Sequence, residues 1–251
     1  MTMSTKEANK QVEDFITKFK KEAETLVTDV FPRKIIQLEK INQEMKKTKA
    51  CSIKADLNVP VPDPVVFHNQ NDSKNNDSKK RKIDFTTGDL DHLTGSKVLV
   101  LPNGSVPVNA HIFKACEKLK PLINDLIDHA NMVKMWISFL IPKIEDGNNF
   151  GVSIQEDTMA EARQVESDAA TYLDQISRYY LTRAKIVSKV AKYPHVEDYR
   201  QAVTELDEKQ YICLQLTTCE IRNHYASLHD IIFKNLDKIK KPRNANAESL
   251  Y

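Results

Sequence analysis

The chain has 251 residues, of which 41% are apolar and 29% are charged, and only five are glycine. Glycine supplies the left-handed turns and close backbone approaches that sheets and phosphate-binding loops need, so its scarcity argues against Rossmann, P-loop and all-β folds and favours an all-helical one. The formal net charge of +2, from 37 basic and 35 acidic residues, excludes a global field that would draw the whole molecule to nucleic acid or to a membrane.

The first predicted element is a long amphipathic helix over residues 7–47. Apolar residues recur there at the i, i+3, i+4 spacing of one helix face. This stripe consists of Val12, Phe15, Ile16, Phe19, Ala23, Leu26, Val27, Val30 and Phe31, and it resumes at Ile35, Ile36 and Ile41. Because Pro32 lacks an amide hydrogen and its ring crowds the preceding turn, we expect a kink or short break there.

Residues 48–105 differ sharply in composition from the helix before them. They contain four of the ten prolines, three of the five glycines and, over residues 69–78, a run made almost entirely of Asn, Asp, Ser and Lys. Such a segment cannot bury enough apolar surface to offset the entropy of ordering it. The composition therefore predicts a long, mostly disordered linker.

A basic run lies inside this linker and consists of Lys79, Lys80, Arg81 and Lys82. A charge run is usually only a solvated stretch, but four consecutive basic residues on an accessible segment are also typical of a nuclear signal read by importin. The residues alone leave both interpretations open.

The second predicted helix covers residues 109–141. Its apolar face is formed by Ile112, Cys116, Leu119, Ile123, Leu126, Ala130, Val133, Ile137 and Leu140. Pro121 interrupts the helix and is expected to bend it, and Pro142 ends it. A ten-residue loop over residues 143–152 follows.

Two more long helices complete the pattern. Ser153 and Glu156 fit a capping box, in which each side chain satisfies the other residue's free amide, so a third helix is predicted over residues 154–193. After a proline break, a fourth helix is predicted over residues 196–241. Four rods joined by one long and two short connections predict an all-α, elongated four-helix bundle, with a C-terminal tail over residues 242–251.

The sequence shows no catalytic, cofactor or metal-binding pattern. It lacks the P-loop, zinc-protease, nucleophile-elbow and C-x-x-C motifs, and Cys51, Cys116, Cys213 and Cys219 share no metal-ligand spacing. The loop from Asp146 looks superficially like a calcium loop, but its glycine comes too early and the closing carboxylate is missing. We therefore expect a non-catalytic protein without a cofactor or metal ion.

The sequence also bears on location and partners. No apolar run approaches the roughly 18 residues of a membrane span, and the N-terminal residues lack the hydrophobic core of a signal peptide. Because charge outside the basic run is nearly balanced, nucleic acid is not an expected partner. These patterns predict a soluble protein of the cytosol or nucleus with no membrane partner.

Charge is distributed unevenly along the third helix. Acidic residues crowd its first half and basic ones, among them Arg183, Lys185 and Lys189, its second half. Complementarity to the helix dipole is the favoured explanation. A more specific explanation is that the basic residues form a band that lines a channel in an oligomer. The two explanations are compatible.

Three stretches of the sequence resemble the 11S (REG) proteasome activators. They are IEDGNNFGV at residues 144–152, the stretch from Tyr172 that ends in KYPHVEDYR at residues 192–200, and KKPR at residues 240–243 before a terminal tyrosine. The resemblance covers all four helical segments. The basic run and the ending NAESLY look most like the gamma-type, nuclear member, from which the N-terminal residues and the linker depart.

The resemblance implies a homoheptameric ring of four-helix subunits around an axial channel. Such a ring docks on the outer (alpha) ring of the 20S proteasome and stimulates hydrolysis of peptides and unstructured proteins, without ATP or ubiquitin. It also implies a nuclear location with some cytoplasmic pool.

The resemblance further implies roles for three sets of residues. The activation loop, which displaces the gate segments, contains Glu145, Asp146, Gly147, Asn148, Asn149, Phe150 and Gly151, with Asn148 as the first candidate for gate contact. The docking tail ends in Glu248, Ser249, Leu250 and Tyr251. Lys185 matches a channel-facing lysine that influences which peptidase sites respond.

The residues leave one further expectation and several rival functions. The apolar stripes present more hydrophobic edge than one bundle can cover, which predicts an oligomer of roughly 200 kDa, seven times 28.7 kDa.

A nuclear adaptor or scaffold with no proteasome activity is the main alternative function. A curved membrane-binding bundle and a nucleic-acid-binding protein are less favoured.

Overall fold

The computed structural model describes residues 5–62, 104–143 and 149–243. All regular structure in these ranges is helical, which confirms the predicted class. The elements are α1 (Thr5–Thr25), a π-helical turn (Leu26–Val30), α2 (Phe31–Lys46), a short 3-10 turn (Ala50–Ser52), α3 (Ala110–Ser138), α4 (Phe150–Lys192), α5 (Glu197–Lys234) and α6 (Leu236–Lys240).

These elements form four long rods around one continuous core. The first rod, α1 to α2, packs against α5 and α3, while α4 lies between α3 and α5. The core contains eight of the nine predicted apolar positions of the second helix as buried residues: Ile112, Cys116, Leu119, Ile123, Leu126, Ala130, Val133 and Ile137. In the described ranges, no helix combines the length and apolar character needed to cross a membrane.

The break predicted near Pro32 is a π-helical turn immediately before it. Pro32 has no amide to donate to the carbonyl four residues back, and its ring would press on that carbonyl in a regular α-helix. The wider turn relieves this conflict: the amide of Phe31 donates to the carbonyl of Leu26, five residues back. The rod stays helical throughout, but Val12 and Phe15, in the predicted stripe, are exposed.

The first residues of the predicted linker, up to residue 62, lie within the described residues, and part of this segment packs on the bundle. Ile53, Leu57 and Val59 are buried, and Arg200 donates from Nη2 to the carbonyl of Val59 over 2.9 Å. These apolar side chains pack in the main core and against α4 and α5, although the predicted linker as a whole is mostly polar. Residues 63–103, with the basic run Lys79, Lys80, Arg81 and Lys82, lie outside the described residues.

Replacing Ile53 by alanine is expected to lower the free energy of unfolding by about 2–5 kcal/mol, because it leaves a cavity where a fully packed side chain stood. Urea denaturation followed by circular dichroism, at one protein concentration, measures the change. The matched control is Lys54→Ala at the exposed neighbouring position of the same segment, where a change within about 0.5 kcal/mol is expected. Equal effects at the two positions would contradict the docking of this segment.

The predicted capping box at Ser153 is also wrong, because α4 begins earlier, at Phe150. Ser153 is exposed inside the first turn, and its amide donates to the carbonyl of Asn149 over 3.0 Å. At 43 residues, α4 is a rod of about 65 Å. The predicted fourth helix is interrupted at Asn235, whose side-chain amide donates to the carbonyl of Ile231 over 2.8 Å.

A buried polar network joins the rods at the end where the linker segments leave the bundle. Asp207, with a side chain 3% exposed, accepts at Oδ1 from Tyr179 Oη at 2.8 Å and from Arg183 Nε at 3.0 Å. Its Oδ2 accepts from Asn109 Nδ2 at 2.8 Å, which also donates to the carbonyl of Ile53. Burial, and then the charge of Asp207, raise the pKa of Tyr179, so the phenol stays protonated as a donor.

Candidate functional site

Three segments meet at the opposite end of the bundle from this network. They are the residues after α3, up to Lys143; the first turns of α4; and α6 with the residues that follow it, up to Arg243. Because the predicted activation loop continues from the first two segments and the predicted docking tail from the third, we call the described residues here the loop base (140–143 and 149–155) and the tail root (239–243).

Most predicted site residues lie beyond these two regions. Residues 144–148, with Glu145, Asp146, Gly147 and Asn148, are outside the described residues. So are residues 244–251, with Glu248, Ser249, Leu250 and Tyr251. The structure places Asn149, Phe150 and Gly151 in the loop base.

Asn149 and Phe150 form the exposed start of α4. Asn149 takes the N-cap position, but its side chain makes no capping hydrogen bond to the helix. Its Oδ1 instead accepts from Arg243 Nη2 in the tail root, at 3.1 Å. Phe150 is 66% exposed.

Gly151 is buried against the backbone of the tail root. A Cβ added at Gly151 would lie 2.7 Å from the carbonyl carbon of Pro242 and would overlap the rest of that peptide group. Glycine is required here for a close backbone approach between two segments that are far apart in sequence. The loop base and the tail root are therefore in direct van der Waals contact.

Gln155 makes a second connection between the same segments. Its side chain is fully buried, and Nε2 donates both to the carbonyl of Leu140, at 3.1 Å, and to the carbonyl of Ile239, at 2.7 Å. A single amide thus satisfies carbonyls at the ends of two helices. Gln155 was not among the predicted site residues. The available signal in the sequence was its position in line with Thr158 and Ala162 on the buried face of α4.

Arg243 makes a third connection from the tail root. Nη1 donates to the carbonyl of Lys143 at 3.2 Å, and Nη2 donates to Asn149, so one guanidinium contacts both sides of the loop base. Lys240 also forms an ion pair with Glu24 of α1. No local pattern predicts this role of Arg243, because its partners lie 94 and 100 residues away in the chain.

Lys185 lies far from this end and is exposed on α4. It is 34 residues beyond Gly151, which corresponds to about 51 Å along the helix. The predicted site residues are therefore not one cluster: the loop and the tail belong to one end and Lys185 to the other half of the rod.

The described residues contain no group of three or more His, Cys, Asp or Glu side chains arranged to hold a metal ion. The polar groups of the loop base and tail root instead bond to backbone carbonyls and to one another. These contacts hold the loop base and the tail root in fixed positions relative to each other.

Comparison with known proteins finds two family models that match the chain. The N-terminal model of the proteasome activator PA28 matches residues 6–64, and the C-terminal model matches residues 105–249. Proteasome activator complex subunit 3 of Homo sapiens and of Gallus gallus are each 52% identical over 248 residues, which cover 98% of this chain and 96% of theirs.

A solved structure is also similar. The crystal structure of the 11S subunit of the Plasmodium falciparum proteasome, PA28, superposes with a TM-score of 0.73 at 32% sequence identity. The superposition covers 97% of this chain and 99% of that one. Similarity of sequence and similarity of fold therefore extend over the same whole length.

Proposed function

The chain belongs to the PA28 family of proteasome activators, and from this we propose that it docks on the 20S proteasome through its C-terminal tail and opens the gate with its activation loop. This activation needs neither ATP nor ubiquitin and stimulates the hydrolysis of peptides and unstructured proteins. The chain itself contributes no catalytic residue.

The observation that carries the proposal is the shared position of the loop base and the tail root. Both lie at one end of the bundle and contact each other through Gly151, Gln155 and Arg243. A tail that docks and a loop that displaces gate segments have to face the same partner surface. The fold meets this requirement within one subunit.

The active form is a homoheptameric ring. Large apolar side chains are more than half exposed in the single chain, which supports burial between subunits. Among them are Val12, Phe15, Ile36, Leu181, Leu216 and Phe233. In such a ring Lys185 faces the axial channel and adds positive charge to it.

The ring form explains how a short tail binds. A tail of a few residues contributes little contact area and loses conformational freedom when it docks, so one tail binds weakly. Once the first tail of a ring is seated, the other six bind as intramolecular ligands at high effective concentration. Leu250 and the Tyr251 ring supply the apolar surface of each tail.

The basic run in the linker gives the protein a nuclear location. Lys79, Lys80, Arg81 and Lys82 present four consecutive charges to importin. Some of the protein stays in the cytoplasm.

Deleting Tyr251 tests the proposal. We expect the apparent affinity of the ring for purified 20S proteasome to fall by about 100-fold or more, because a small loss per tail is repeated in all seven. The measurements are stimulation of fluorogenic-peptide hydrolysis and sedimentation of the complex.

The matched control for this deletion is Tyr251→Phe, which keeps an aromatic side chain and the length of the tail. We expect this variant to stimulate like the unmodified chain. Full stimulation after the deletion would contradict docking through the tail. An adaptor without proteasome activity would stimulate nothing in any of the three forms.

A further inference from the structure

We infer that Gly151, Gln155 and Arg243 are positioning residues that hold the loop base and the tail root together as one rigid block, so that seating the tail also sets the place of the activation loop over the gate. This inference rests on the proposed function and adds to it the residues that connect its two parts.

The block is held by three different kinds of contact. Gly151 allows backbone against backbone at Pro242. Gln155 supplies a buried amide that reaches across to Ile239, and Arg243 supplies two guanidinium donors that reach back to Lys143 and Asn149. Because each contact joins residues that are 84 to 100 positions apart in sequence, none of them serves a local turn.

The tail root is also fixed to the rest of the bundle. Ile239 is fully buried in the main core, and Lys240 is paired with Glu24 of α1. The tail root is therefore not a frayed helix end. Its position is set by the same packing that sets the first turns of α4.

Chain length makes this position matter. Tyr251 lies eight residues beyond Arg243, and eight extended residues span at most about 28 Å. Where the tail leaves the bundle therefore limits where the ring can stand when the tail is seated. If the tail root could swing independently of the loop base, the ring could dock with the loop away from the gate.

The test uses Gly151→Ala and Arg243→Met in the full-length protein. The first forces the two backbones apart, and the second removes the guanidinium donors while keeping an aliphatic side chain of similar length. Ser153→Ala is the matched control, because Ser153 is exposed in the same first turn of α4.

For both variants we expect maximal stimulation at saturating ring to fall about fivefold or more, because a displaced loop no longer meets the gate correctly. The concentration of ring that gives half-maximal binding to 20S proteasome should change by less than about threefold, since the tail sequence is intact. A purely structural role would reduce assembly or binding and leave the maximum per bound ring unchanged. Ser153→Ala should change neither quantity.

Full maximal stimulation by both variants would overturn the inference, and so would a loss of binding as large as the loss of stimulation. If Gly151→Ala fails to assemble, the result for Arg243→Met is used to test the inference. Arg243→Met is expected to assemble, because Arg243 is partly exposed and follows the last helix. These results are distinct from a failure of the proposed function, in which the unmodified ring itself neither binds nor stimulates 20S proteasome.

Discussion

Replacing Asp207 by alanine is expected to lower the free energy of unfolding by about 3–5 kcal/mol, because it leaves the buried charge of Arg183 without its partner. The same change removes the acceptor of Tyr179 and of Asn109, so one carboxylate holds α4, α5 and the start of α3 together. Urea denaturation at a fixed protein concentration measures the effect. Fixing the concentration matters because subunit association contributes to the apparent stability.

The control for Asp207 is Asp174→Ala. Asp174 forms an exposed ion pair with Arg178, one turn further along α4. Exposed pairs of this kind contribute about 0.5 kcal/mol or less, because solvent screens them and two long side chains lose freedom. A loss at Asp207 no greater than the loss at Asp174 would show that the buried network does not stabilise the linker end.

Replacing Asn148 by tyrosine should abolish stimulation of peptide hydrolysis, down to the level of 20S proteasome alone, while the ring still binds. A bulky ring at the proposed gate contact disrupts a geometry that depends on close fit, whereas the tails that supply affinity are unchanged. The measurements are peptide hydrolysis at saturating ring and, separately, the amount of ring that sediments with 20S proteasome.

Ser153→Tyr provides the comparison for this substitution, since it adds the same side chain at an exposed position in the first turn of α4. We expect it to stimulate within about twofold of the unmodified protein, because surface substitutions away from contacts have small effects. Loss of ring binding by Asn148→Tyr would contradict the separation of docking from gate opening.

The helical rods could be predicted from the sequence because each one carries its own periodic pattern. The face that runs from Ile112 to Ile137 is buried as predicted, and it needed no knowledge of its partners. The start of α4 could not be predicted in this way. A capping box at Ser153 is a sound local signal, but contact of Gly151 with Pro242 extends the helix one turn earlier, and that contact is invisible in a local window.

The same reason explains why the packed start of the linker could not be predicted. Composition averaged over residues 48–105 is dominated by polar residues, and this average hid the three apolar residues that pack on the bundle, Ile53, Leu57 and Val59. Hydrophobic burial depends on which surface a residue meets. A mean over a segment carries no information about that.

For the proposed functional end, the resemblance implied which segments take part but not what holds them together. The resemblance pointed to the loop from Glu145 to Gly151 and to the tail that ends at Tyr251. The residues that connect the two, Gln155 and Arg243, act through partners on other elements, and only the folded chain brings those partners together.

The π-helical turn before Pro32 has a consequence for how the first rod can vary. One residue of an α-helix corresponds to a rotation of about 100° around the helix axis. The extra residue of the π-helical turn therefore sets the direction in which the side chains of α1 face relative to those of α2. With the present phase, Phe19 packs edge-on against Phe139, and Glu24 reaches Lys240. Removing a single residue between Leu26 and Val30 would rotate both side chains away from these partners, and the tail root would lose its ion pair with α1.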